Sequence, residues 1–360
     1  MFVIDNSGSM GTAQARLATA MDTFVARLDN EGIDFRISVT TTDDGNPWCS
    51  GTTPEGGSFV ASSCRSRQEQ FVFNGGSTVD VTDEACLDIC SHPTIALLPT
   101  TTDVDPSPSP RPWIERIDGT TNLPKGVTPA AALRCFLPMG VDGCAFERPL
   151  ESLNKAITRT VTNGEDEYGF IRDGADTLLV IVTDEVDCSA SGEGIFLPDG
   201  SQVFWSNPGS PAPSSGLCWN AGVACSGASP YDGCSSENYD AEGDPGASDD
   251  DAVMLPLSRY EDRIGQLDVA NGAGAVRVAL IGGLPDAGGD LVYEDAGNPA
   301  DQENWGIGWG CESGSVSALP PVRMRELFQD AAEPAECPLY SICSDDYCDE
   351  LEHMIDRVLP

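Results

Sequence analysis

The chain reads as an α/β fold: a doubly wound, mostly parallel sheet with helices on both faces, carrying long disulfide-stapled loop insertions. Three observations predict it. Apolar runs of strand length alternate with stripes at helical spacing along much of the chain. One run, Leu178 to Val182, is continuously apolar, as a parallel strand covered on both faces must be. The first run breaks at Asp5-Asn6-Ser7-Gly8, a turn-forming string that directly precedes the first helical stripe.

Taken in order, Phe2 to Ile4 is a short strand that ends at that string. Leu17, Met21, Phe24, Val25 and Leu28 follow at helical spacing, with Gly32 as the stop. Phe35, Ile37 and Val39 alternate and predict one second strand. Ala130 to Leu137 reads as a short helix. Phe146, Leu150, Leu153 and Ile157 form a helical stripe. Pro149 fits it only near the start, because further in it would remove a backbone hydrogen bond and clash with the preceding turn. After Leu178–Val182 comes a stripe at Val253, Leu257, Tyr260, Ile264 and Leu267. A strand over Val276 to Ile281 follows, then a helix opening at Met324, Leu327 and Phe328. A last helix runs through Tyr347, Leu351, Met354, Ile355 and Val358.

Three long stretches interrupt this alternation: 44–112, 186–249 and 283–320. They read as insertions in one domain spanning 1–360, since loops of that length inside a compact domain are commonly functional. Asp103 to Pro112, with proline at every second position from 106, is expected to be extended and exposed. Most of the fourteen cysteines fall in these Gly-, Pro- and Ser-rich segments. That placement predicts disulfides and an oxidising, extracytoplasmic compartment, secreted or cell-surface. Zinc is the rival, but two histidines and no CxxC pair give it little framework. The opening Met1-Phe2-Val3-Ile4-Asp5 already lies inside a strand. Either the true start lies upstream, with the export signal missing from this chain, or export uses another route; the upstream start is expected.

Nineteen Lys and Arg against 58 Asp and Glu give a net charge of −39. A nucleic-acid binder needs a basic stripe, and an anionic membrane surface would repel such a chain. No apolar stretch approaches the roughly 18 residues of a membrane span.

The sharpest chemistry is Asp5-Asn6-Ser7-Gly8-Ser9. Ligands of open α/β sheets sit at the carboxyl ends of the strands, near the switch in strand order. Asp5, Ser7 and Ser9 would project one carboxylate and two hydroxyls there. Asp184 follows the buried strand 178–182, and would meet Asp5 if the two strands are neighbours. Two carboxylates and two hydroxyls make a hard, all-oxygen set suited to Mg²⁺, with Mn²⁺ or Ca²⁺ as alternatives. The same string is also good turn and N-cap chemistry. Cys144 and Cys188 flank loops expected to converge on this crevice, and are expected to pair. Asp249-Asp250-Asp251 reads as acids favouring the positive end of the following helix. Trp205, Trp219, Trp305 and Trp309, read as loop residues, are expected to pack beneath disulfides. No HExxH, GxSxG or P-loop is present.

Phe2-Val3-Ile4-Asp5-Asn6-Ser7-Gly8-Ser9-Met10 resembles the opening of a von Willebrand factor type A (VWA) domain. Its DxSxS motif is the first part of the metal-ion-dependent adhesion site. Leu178-Leu179-Val180-Ile181-Val182-Thr183-Asp184 is similar to the family's later strand, which ends in the metal-site aspartate. The resemblance covers the α/β framework, and the insertions are of the kind found in cysteine-rich bacterial surface proteins and lipoproteins. It implies a Rossmann-like sheet and no catalytic activity. It also implies a divalent cation held by Asp5, Ser7, Ser9 and Asp184 that bridges to an acidic side chain of a protein partner. The family adds a threonine from the loop before the helix leading into the Asp184 strand. That loop is Gly140-Val141-Asp142-Gly143-Cys144, without threonine, so Asp142 is ranked as its replacement ahead of Thr128. Two other functions stay open: a metal-assisted hydrolase using Asp5 and Asp184, and a structural surface protein with a vestigial site.

Overall fold

The computed structural model describes residues 1–75, 78–286, 289–330 and 338–358. Five parallel strands form the central sheet: β1 (Phe2–Ile4), β2 (Val39–Thr41), β3 (Thr177–Val182), β4 (Val276–Gly282) and β5 (Leu339–Ser341). Their spatial order is β5-β4-β3-β1-β2, so the sequence reverses direction between β1 and β3. Phe2 pairs with Val180 and with Val39, which makes β1 the neighbour of both β3 and β2.

Side-chain alternation along these strands feeds two cores. Phe2, Ile4, Val180, Val182, Ala279 and Ile281 face α1 (Gly11–Asn30), α2 (Pro129–Phe136) and α8 (Cys348–Val358). Val3, Leu179, Ile181, Val278 and Leu280 face α3 (Pro149–Val161), α5 (Leu257–Asn271) and α7 (Val322–Asp330). Helices on both faces and a buried parallel sheet are the doubly wound α/β fold that the patterning predicts.

Local chemistry sets the element ends. Gly32, at φ +68°, and Ile33 close α1 by donating to Asp29 O and Leu28 O. Pro149 occupies the first turn of α3, where its missing N–H costs nothing. The helix therefore starts later than the stripe suggests. Phe146 lies before it, edge-on to Phe196 at 5.2 Å.

The single strand expected over Phe35 to Val39 is two. Phe35–Ile37 pairs antiparallel with Ile114–Ile117 in a side sheet, whereas Val39–Thr41 enters the central sheet. Alternation is the same in both sheets, so the sequence does not show the crossover at Ser38.

The insertions carry short elements and build much of the core. Within 44–112, Cys64, Phe71, Cys86 and Cys90 are buried against the α1–α2 face, with Cys64–Cys86 closing a loop and Cys90–Cys135 tying it to α2. Within 186–249 lie α4 (Gly216–Gly222) and a hairpin, Val223–Ser226 with Gly233–Ser236, bridged by Cys225–Cys234. Within 283–320 lie α6 (Pro299–Trp305) and the hairpin Cys311–Ser313 with Val316–Ala318. Residues from the last two insertions form a third apolar cluster around Phe196, Trp205, Leu217, Trp219 and Leu319.

Six disulfides join described cysteines, which places the chain in an oxidising compartment outside the cytoplasm. Cys348 has no disulfide partner among the described residues, and Cys337 lies outside them. The expected Cys144–Cys188 pair does not form: the bridges are Cys49–Cys144 and Cys188–Cys218. The two loops do converge, since Cys188 N donates to Glu147 O at 2.7 Å. However, Cys144 N donates to Asp43, which brings the segment carrying Cys49 alongside it, while Cys188 sits against α4, which carries Cys218.

Two tryptophans expected in loops lie on helices. Trp219 is buried on α4 beside Cys218, and Trp305 ends α6 and stacks at a tilt on Trp309. The acids 249–251 lie just before α5 in sequence, and Asp249 folds back onto its first turn, accepting from Ser258 Oγ at 2.6 Å as well as from Asn238 Nδ2, while Asp251 accepts from Ser248 Oγ. Among the described residues, no helix is long and apolar enough to cross a membrane.

Candidate metal centre

The carboxyl ends of β1 and β3 meet where the strand order reverses. Asp5 N continues the ladder to Val182 O at 2.9 Å, and the chain then turns. Asp5 Oδ1 accepts from Ser7 N at 2.7 Å, an Asx turn that fixes the loop before α1. Asp5 Oδ2 accepts from the Thr183 hydroxyl, so the residue after β3 holds the carboxylate that ends β1. Ser7 Oγ and Ser9 Oγ lie 3.3 Å apart. Asp184 follows Thr183, and its backbone oxygen accepts from Leu319 N at 2.8 Å. Asp5 is fully buried and Asp184 is 4% exposed.

Gln14, one turn into α1, holds the neighbouring loop in place. Its amide nitrogen donates to Asp5 O at 2.7 Å and to Gly140 O at 2.8 Å, and its oxygen accepts from Met139 N and Gly140 N. Gly143 N donates to Asn6 O at 2.8 Å. A Cβ on Gly143 would lie 2.4 Å from the Asn6 side chain, so only glycine allows this approach. The 139–143 loop is thus docked on the Asp5 loop. Asp142 stands on its exposed side, with its N–H on Gln70 O. Thr128 is the N-cap of α2, its hydroxyl accepting from Ala131 N.

Four residues not singled out from the sequence complete the floor. Thr42 follows β2, donates its N–H to Ile4 O, and donates its hydroxyl to Glu147 Oε2. Glu147, just before α3, is 1% exposed. Asp43 is buried and accepts from Gly45 N and Cys144 N. Glu185, next to Asp184, is also buried. Asp187 is committed elsewhere: its carboxylate pairs with buried Arg323 at 3.0 Å and accepts from Ser189 Oγ.

The electrostatics follow from packing so many acids out of water. Burial pushes the Asp5 carboxyl above its ordinary range, against the hydrogen bonds from Thr183 and Ser7. Burial and then the charge of Asp5 push Asp184 well up, and Glu147 likewise. Glu185 is pushed well up by burial, then by Asp184 and Asp5. Asp142, mostly solvated, is raised by partial burial alone.

Among the described residues, three buried oxygens around this crevice have no hydrogen-bond partner: Asn6 Oδ1, Glu147 Oε1 and Asp184 Oδ1. Such atoms cost free energy unless something satisfies them. A hard cation would, and the available donors are the carboxylate and hydroxyl oxygens it prefers. No group of three or more His, Cys, Asp and Glu side chains among the described residues is already arranged to hold an ion. The donor set is mixed, with the Ser7 and Ser9 hydroxyls beside the acids. No protein-family model, curated protein or solved structure matches the chain.

Proposed function

We propose that the chain is an extracytoplasmic, cation-dependent protein-binding module of the VWA type, secreted or held at a cell surface. A divalent cation, Mg²⁺ or else Mn²⁺ or Ca²⁺, is held by Asp5, Ser7, Ser9 and Asp184. Asp142 lies at the rim, and an acidic side chain of the partner completes the coordination. Within this reading the cation supplies positive charge at an acidic crevice. Asp5 and Asp184 hold it, the hydroxyls fill its shell, and Gln14 and Thr183 fix the carboxylates and the loop beside them.

The observation that carries the reading is the meeting of Asp5 and Asp184, both buried and raised, with Asp184 Oδ1 unpartnered, at the carboxyl ends of adjacent parallel strands. A crevice crowded with acids gains stability from a cation bound only by the folded chain. Mg²⁺ or Mn²⁺ should therefore raise the melting temperature in strong background salt, which suppresses diffuse binding by the −39 surface. Asp5→Ala should abolish the rise. A rise that vanishes in salt, or survives Asp5→Ala, defeats the proposal.

A further inference from the structure

We infer that Glu147, and not Asp142, supplies the third carboxylate of the cation site, in the place that the VWA resemblance gives to threonine. The inference rests on the cation-binding reading above and adds to it.

Position comes first. Glu147 lies in the segment leading into α3, the helix that precedes β3. Thr42, which follows β2 and is bonded to the end of β1, holds its Oε2. Cys188 N, four residues beyond Asp184, holds its backbone oxygen. Glu147 is thus fixed between the chain segments that leave β2 and β3, with the end of β1 beside it. Asp5 is near enough for the two buried carboxyls to act on each other's charge. Asp142 has no such placement and lies on the exposed side of its loop.

The second observation is the unpartnered Oε1. Glu147 is 1% exposed, so bulk water does not reach that atom, and it has no hydrogen-bond partner among the described residues. The carboxylate is held by one oxygen and free at the other. A cation at Asp5 and Asp184 would draw Oε1 inward by a side-chain rotation.

The substitution changes the site's chemistry. Threonine would leave two carboxylates around a divalent ion, a neutral centre open to a partner's acid. Glu147 makes three, so the centre carries one net negative charge when filled. More carboxylate ligands tighten cation binding and favour Ca²⁺, which accepts a crowded oxygen shell, over Mg²⁺, which keeps its waters. A partner's acid must then compete with Glu147 for the cation.

Calorimetric titration with Ca²⁺, Mn²⁺ and Mg²⁺ in strong background salt tests this on the full chain, using Glu147→Gln, Glu147→Thr, Asp142→Ala and Asp5→Ala. Glu147→Gln keeps the shape and can still accept from Thr42. It should weaken Ca²⁺ binding at least tenfold and Mg²⁺ binding less, while Asp142→Ala stays within twofold of the parent chain. Glu147→Thr should shift the preference from Ca²⁺ toward Mg²⁺. Melting without cation checks folding, and Glu147→Gln, which still accepts from Thr42, should melt at or above the parent chain because a buried acid is gone. If Glu147→Gln binds Ca²⁺ within twofold of the parent while Asp5→Ala abolishes binding, Glu147 is not a ligand and the cation reading survives. The same holds if Asp142→Ala is the variant that weakens binding. If the parent and Asp5→Ala titrate alike, the cation reading itself fails.

Discussion

Gln14 shows how much one side chain organises here. Its amide makes four hydrogen bonds to backbone groups, none of which faces water. Replacing it with leucine would leave Asp5 O, Gly140 O, Met139 N and Gly140 N short of partners. Each unpaired buried group costs on the order of 1–3 kcal/mol, partly relieved by relaxation. Gln14→Leu should therefore lower unfolding free energy by about 3 kcal/mol in a urea titration. It should also loosen the 139–143 loop and weaken cation binding. A loss below about 0.5 kcal/mol, the size of an ordinary surface change, would show that the loop is held some other way. The sequence did carry a signal for this residue. Gln14 precedes Leu17, Ala18 and Met21 by three, four and seven positions, so it lies on the apolar face of α1, where an amide needs buried partners. Asp5, Ser7, Ser9 and Asp184 were legible because a turn string and an acid end two apolar strands. Glu147 was not, since an acid just before a helix-starting proline reads as dipole chemistry. Its partner Thr42 lies 105 residues earlier and meets it only in the fold.

Among the elements, β3 is the axis of the molecule. It pairs with β1 on one side and β4 on the other, and its side chains divide between the two main cores. Ile181 is fully buried beneath the α3, α5 and α7 face. Ile181→Ala should cost about 3–4 kcal/mol, from lost transfer energy and the cavity left behind. Val269→Ala, on the exposed side of α5 at 77% exposure, should stay within about 0.5 kcal/mol. Equal losses at the two positions, in the same chemical denaturation experiment, would contradict the two-core packing. The same burial explains what could be read of the fold. A strand covered on both faces must be apolar at every position, and a helix packed on one face must be striped. Those rules locate β3, β4, α1 and α5 to within a few residues. They are silent on β2, since Ser38 passes the chain from one sheet to another without changing the alternation. They are silent also on the insertions, whose burial comes from disulfides and from residues such as Phe71 and Trp219 far along the chain from their neighbours.

At the level of the whole molecule, acid crowding gives a pH dependence opposite in sign to that of surface ion pairs. Asp184, Glu147 and Glu185 are held well above their ordinary values of 3.8 and 4.5, so the folded chain keeps protons that the unfolded chain releases. Their contribution is fully present below the ordinary carboxylate range and is lost as pH rises through the raised values. In chelator and strong salt, the melting temperature should fall from about pH 4 upward. Asp184→Asn should flatten that fall, and a saturating divalent cation should flatten it further. A melting temperature that climbs over the same range in chelator would contradict the buried-acid description. The bridges bear on a different property. Cys49–Cys144, Cys188–Cys218 and Cys311–Cys343 fasten three segments around the carboxyl ends of β1 and β3, one of them the hairpin that leads to Leu319 and its bond to Asp184 O. On the proposed binding role, a rim fastened in this way is in its binding shape before a partner arrives. Capture would then require no folding, so little ordering entropy would be lost on association and encounter would not be slowed by a closing step. Mild reduction would reverse this, leaving a sheet that still melts cooperatively but a mouth that must be reassembled around each ligand, with slower arrival and faster escape.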